Sequence, residues 1–175
     1  MDDKLDDKPL TQKPTDLAVG DFLRIYGGIY EHSPWIAEGA YALRANITSV
    51  IALHTAMKMT VANAPRDKKL ALIKAHPDLA CAPAEVSKLT QSSVSEQKGA
   101  GLNQCTPEEY EEFQKLNADY KKKFGFPFII AVKGLNRLDI LQAFRKRINN
   151  APEDEFNTAL GQIDRIAYFR LMALP

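Results

Sequence analysis

Apolar residues recur at three- and four-residue intervals over most of the chain, the period of a single buried helix face. Residues 48–63 set Val50, Ile51, Leu53, Ala56, Met57 and Val61 on one side, and residues 107–123 space Tyr110, Phe113, Leu116 and Tyr120 in the same way. Similar stretches cover about 136–149 and 153–173, the latter with Phe156, Leu160, Ile163, Ile166, Ala167 and Leu171. Helix starts are punctuated. Ser33-Pro34 reads as an N-cap with a first-turn proline, Thr48 as a cap, Pro65 as a first-turn proline, and Thr106-Pro107-Glu108-Glu109 as a capping box. The one β-like run is 126–132, and because Pro127 has no amide to give a central ladder, the run reads as a buried extended connector. These patterns predict an all-α fold, a single compact multi-helix domain of about seven or eight helices over 15–175, with a long connector over 76–92. Residues 1–14, rich in Asp, Lys and Pro, predict a disordered N-terminal tail.

Composition narrows the class without changing that picture. With 175 residues, 45% hydrophobic and 26% charged, the chain can bury a core without a disulfide or metal staple. A net charge of +1 removes the basic field of a nucleic-acid binder, so no nucleic acid is expected as a partner. The Lys121-Lys122-Lys123 run falls at a predicted helix end, where cations suit the dipole. No apolar run approaches the roughly 18 residues of a membrane span, Met1–Lys13 is too charged for a secretory signal, and the ending Ala173-Leu174-Pro175 is no peroxisomal address. Cys81 and Cys105 have no paired spacing, which predicts thiols in a reducing compartment; a cytoplasmic protein with no membrane partner is expected. Three scattered histidines and two distant cysteines offer no ligand spacing, so no metal is expected.

Candidate chemistry gathers in two segments. In Ala75-His76-Pro77-Asp78-Leu79-Ala80, steric conflict with the proline ring ends the preceding helix near His76, so the imidazole projects from a helix C-terminus. The negative end of that dipole predicts an upward push on its pKa. A histidine beside a carboxylate is a candidate acid/base device, and a polar helix stop is the plainer alternative. In Ser93-Val94-Ser95-Glu96-Gln97, Ser93 and Glu96 have the spacing of a capping box, while a helix N-terminus is also a binding point for carboxylates and carbonyls. Gly99, Ala100 and Gly101 then keep the next turn slim. Phe124, Phe126 and Phe128 suit either a core plug or an apolar wall for a planar ring. Arg170, between Phe169 and Leu171, needs an anionic or carbonyl partner if it faces inward. His32, in a turn, and His54, in mid-helix, suit structural roles.

Taken together, HPDLA, SVSEQ with the following Gly-Ala-Gly-Leu, FGFPFII and the closing Ile166-Ala167 with Arg170-Leu171 resemble the OHCU decarboxylases, enzymes of urate breakdown. Tyr30-Glu31-His32-Ser33-Pro34-Trp35-Ile36-Ala37 also fits, and the resemblance runs from about residue 17 to 173. It implies a cofactor-free, all-helical enzyme, usually a homodimer, that converts 2-oxo-4-hydroxy-4-carboxy-5-ureidoimidazoline (OHCU) to (S)-allantoin and carbon dioxide. The resemblance puts the catalytic pair on His76 and Glu96. Pro77, Ser93, Glu96, Phe126, Phe128, Ile129 and Arg170 are expected to contact substrate, with Ser95 competing with Ser93 for the helix cap. Two other readings stay open on the residues alone: a hydrolase using Ser93 or Ser95 with His76 and Glu96, and a helical interaction module without catalysis. The chain has no GxSxG elbow for the former.

Overall fold

The computed structural model describes residues 6–79 and 90–175. Among these residues the chain is all-α, as the apolar periodicity predicts, with eight α-helices: α1 (Val19–Tyr26), α2 (Trp35–Tyr41), α3 (Val50–Asn63), α4 (Arg66–Lys74), α5 (Gln91–Gly99), α6 (Pro107–Phe124), α7 (Arg137–Arg147) and α8 (Pro152–Ala173). None is long and apolar enough to cross a membrane. The chain divides into two compact units, Met1–Leu72 with Asp164–Pro175, and Ile73–Ile163.

In the first unit Phe22, Ile36, Leu53 and Met57 are fully buried, with Phe22 against Tyr26 and Tyr41 at centroid distances of 4.8 and 5.1 Å. Helices α2 and α3 pack closely at Gly39, where an added Cβ would lie 2.4 Å from the Thr60 methyl. The cap of α3 is Ser49, whose hydroxyl accepts from the Ala52 amide, one residue beyond the expected Thr48. Charged residues of the N-terminal segment have partners in its described part. Asp7 accepts from the amide of Ile51 at 3.0 Å, the Lys8 carbonyl accepts from Val50, and the Lys8 ammonium donates to the Leu174 carbonyl at 2.6 Å.

In the second unit Phe113 and Tyr120 of α6 are buried as the stripe predicts, whereas Tyr110 is exposed. The capping box at Thr106 forms in full, and Asn136 with Asp139 makes a second one at α7. Gly125 stops α6 in the left-handed region, at φ +77, a conformation that costs a residue with a Cβ. Residues 126–132 then run as a connector outside any helix or strand, buried except at the half-buried Ile130. One sequence expectation fails here. Cys105 is disulfide-bonded rather than a thiol; the sequence's other cysteine, Cys81, lies outside the described residues.

Candidate active site

Helix α4 ends at Lys74 and the His76 amide makes one more turn-like bond, to the Ile73 carbonyl at 3.2 Å. His76, only 8% exposed, thus leaves a helix C-terminus as the following proline requires. The chain after it is pinned from two helices. Gln97 Nε2 of α5 donates to the Asp78 carbonyl at 3.3 Å and Asn117 Nδ2 of α6 donates to the Leu79 carbonyl at 2.9 Å. Lys121 adds a 2.6 Å ion pair to the Asp78 carboxylate. Helix α5 is thereby tied to the His-Pro-Asp-Leu segment at Gln97, the residue next to Glu96.

The cap of α5 differs from the expected one. Thr90 is the N-cap, its hydroxyl accepting from the Ser93 amide, so Ser93 and Glu96 do not form the capping box that their spacing suggests. The Thr90 hydroxyl also donates to Ser93 Oγ at 3.1 Å. Ser93 is buried, Ser95 exposed and Glu96 partly buried. With Thr90 as the cap, the competition expected between Ser93 and Ser95 for that role does not arise.

The aromatic run is split between two jobs. Phe128 stacks on Phe144 at 3.8 Å and has the Arg147 guanidinium 4.3 Å from its centroid. Two planar groups that close cannot share one face, so both faces of Phe128 are used by the protein. Phe126 meets Tyr120, Phe124 and Phe156 at 6.0, 6.0 and 6.3 Å. These rings are core. The backbone behaves differently: among the described residues the main-chain amides of Phe128, Ile129 and Ile130 have no hydrogen-bond partner, while the Ile129 carbonyl accepts from Arg147 and the Ala131 amide donates to Gln162. Phe128 and Ile129 are buried and Ile130 partly so, and because buried amides are nearly always paired, these three are candidate donors to a ligand's carbonyl oxygens.

Within the first unit, Arg170 faces inward and has both kinds of partner that a buried guanidinium needs. Its Nη1 donates to Glu31 at 2.8 Å and to the Ile29 carbonyl at 3.2 Å. Glu31 is 2% exposed and was not singled out by residue-level reasoning, although it lies in the Tyr30–Ala37 segment. Neutralising one partner of such a pair leaves a buried charge uncompensated. Glu31→Gln is therefore expected to lower unfolding free energy by about 3 kcal/mol, measured by denaturant titration. An unchanged midpoint would mean that Arg170 does not depend on this carboxylate.

A second polar cluster of the same unit holds His54, Asp164 and Tyr30. His54 Nε2 lies 2.8 Å from the Asp164 carbonyl oxygen, so that nitrogen carries the proton, and Tyr30 donates to the Asp164 carboxylate at 3.1 Å. Burial holds the His54 imidazole below its ordinary value and pushes the Asp164 carboxyl above its own. The fold thus favours neutral His54, whereas the unfolded chain takes up a proton below about pH 6.5. Stability is retained above that pH and declines beneath it. The melting temperature should drop more between about pH 7.5 and about pH 5.5 in wild type than in His54→Gln; equal slopes would assign the pH dependence elsewhere.

No three His, Cys, Asp or Glu side chains cluster as metal ligands among the described residues. The sequence profile of the OHCU decarboxylase family matches residues 15–172. The chain belongs to that family. It is 43% identical over 160 residues to the 2-oxo-4-hydroxy-4-carboxy-5-ureidoimidazoline decarboxylase of Haloferax volcanii, covering 91% of this chain and 92% of that one. It is also 47% identical over 145 residues to the uric acid degradation bifunctional protein PucL of Bacillus subtilis, of which it spans 28%. A crystal structure of (S)-allantoin synthase superposes with a TM-score of 0.75 at 34% identity, covering 91% of this chain and about half, 52%, of that one.

Proposed function

We propose that this chain decarboxylates OHCU to (S)-allantoin and carbon dioxide in urate degradation, with His76 and Glu96 as its catalytic residues. The observation that carries the assignment of roles is the tie between α5 and the segment after His76. Through Gln97 it joins the helix bearing buried Ser93 and partly buried Glu96 to the chain that leaves the imidazole.

Breaking the bond to the carboxylate carbon leaves an electron pair on the ring carbon. The substrate's adjacent C=N unit accepts it as an enol-like intermediate, so the chemistry calls for no pyridoxal or thiamine. What the protein must do is hold the carboxylate out of the ring plane, discourage its solvation and return a proton to one face. Glu96 beside that carboxylate raises the ground state by like-charge repulsion, which is relieved as carbon dioxide departs. His76 delivers the proton. Ser93, buried on α5 one turn before Glu96, contacts the substrate. The amides of residues 128–130 take ring or ureido carbonyls, and Pro77 supplies apolar contact. Phe128 and Ile129 contribute through their backbone. Arg170, oriented by Glu31 and the Ile29 carbonyl, supplies charge stabilisation to substrate oxygens.

The assay is the decay of freshly generated OHCU with and without protein: a rate proportional to enzyme concentration supports the assignment, and a rate equal to spontaneous decay rejects it. A second copy of the chain is the expected partner, and light scattering should give twice the mass of one chain.

A further inference from the structure

Arg147 closes α7 and Glu155 stands in the first turn of α8, each at the end of the helix dipole that suits its charge. Glu155 is fully buried and accepts from four donors: Arg147 Nε at 2.8 Å, Arg147 Nη2 at 2.5 Å, Tyr120 hydroxyl at 2.5 Å and Asn150 Nδ2 at 2.9 Å. The other side of the guanidinium fork points elsewhere. Nη1 donates to the Ile129 carbonyl at 2.7 Å, and the guanidinium plane lies against the ring of Phe128.

A buried ion pair seldom stabilises a fold more than a well-packed apolar pair of the same volume. Stapling α7 to α8 would also leave Nη1 without a reason to seek residue 129. We propose that Arg147 is a positioning residue: it clamps Phe128 by its ring and Ile129 by its carbonyl, and so fixes the unpaired amides of residues 128–130 at the spacing the substrate requires. Glu155 holds Arg147 in that pose through Nε and Nη2. The Gln162 side chain, which accepts from the Ala131 amide at 2.9 Å, secures the far end of the same strip. The proposal rests on the substrate-binding role given to this backbone above.

Two variants of the full-length protein separate positioning from mere stability. Arg147→Lys can still pair with Glu155, but an ammonium cannot at once reach the Ile129 carbonyl and cover the Phe128 ring. Tyr120→Phe removes a donor from the same carboxylate and leaves the strip and its aromatic neighbours in place. Arg147→Lys is expected to raise KM for OHCU by about tenfold or more with kcat changed far less, while Tyr120→Phe lowers the melting temperature and leaves KM unchanged. Amide hydrogen exchange at residues 128–130, read without substrate, should accelerate in Arg147→Lys only. Phe128→Leu keeps the ion pair and removes the clamped ring, and it repeats the test, with the same rise in KM, if Arg147→Lys does not fold.

An unchanged KM in Arg147→Lys, or KM and kcat moving in both variants in step with lost melting temperature, overturns the clamp. If wild type does not turn over OHCU, the functional assignment falls. The exchange measurement still decides the clamp, and equal protection of residues 128–130 in both variants rejects it.

Discussion

Replacing His76 by Asn is expected to abolish enzyme-dependent carbon dioxide release while leaving the helical circular dichroism spectrum intact. The substitution keeps a polar side chain of similar reach at the end of α4, and the segment after it keeps its own anchors, Gln97 on Asp78, Asn117 on Leu79 and Lys121 on the Asp78 carboxylate. What is lost is a group that carries a proton near neutral pH. General acid catalysis of this kind contributes about 10²–10⁴ in rate, so activity should fall to the spontaneous background. Near-wild-type turnover in the variant would remove His76 from the mechanism, and loss of activity together with loss of helix would return it to the role of a helix stop.

Glu96→Gln is the second large effect. The variant preserves shape and hydrogen-bonding reach but removes the charge, and with it the repulsion against the substrate carboxylate. Ground-state destabilisation of this sort is worth about 1–5 kcal/mol, so kcat should fall between roughly fivefold and roughly five-thousandfold. Because Thr90 rather than Ser93 caps α5, Glu96 is not the capping partner, and the cap of α5 stays intact in the variant. A fall in activity that tracks a fall in stability would instead make Glu96 a structural residue.

The elements that rest on local chemistry were legible in the sequence. The apolar stripes of α3, α6 and α8, the Thr106 capping box, the stop after α4 and the non-strand connector at 126–132 each follow from a few neighbouring residues. The start of α5 was not, because Thr90, Ser92, Ser93 and Ser95 are all good cap residues within one turn and a half, and propensity cannot rank them. Nor were the buried charges. Glu31 meets Arg170 across most of the chain, and Arg147 meets Glu155 across the corner between two helices; neither pair has the helical spacing that would announce it. The double use of the Phe-Pro-Phe run was half visible. Its composition allowed a core or a pocket wall, and the structure uses the rings for the core, while the proposed contact with substrate falls to the backbone amides.

The most direct test of the central claim is the chirality of the product. Freshly generated OHCU is converted with and without the protein, and the allantoin is followed by circular dichroism. If His76 returns the proton to one face only, the enzyme yields (S)-allantoin while spontaneous decay yields a racemate; racemic allantoin formed at a rate indifferent to the protein would contradict the account.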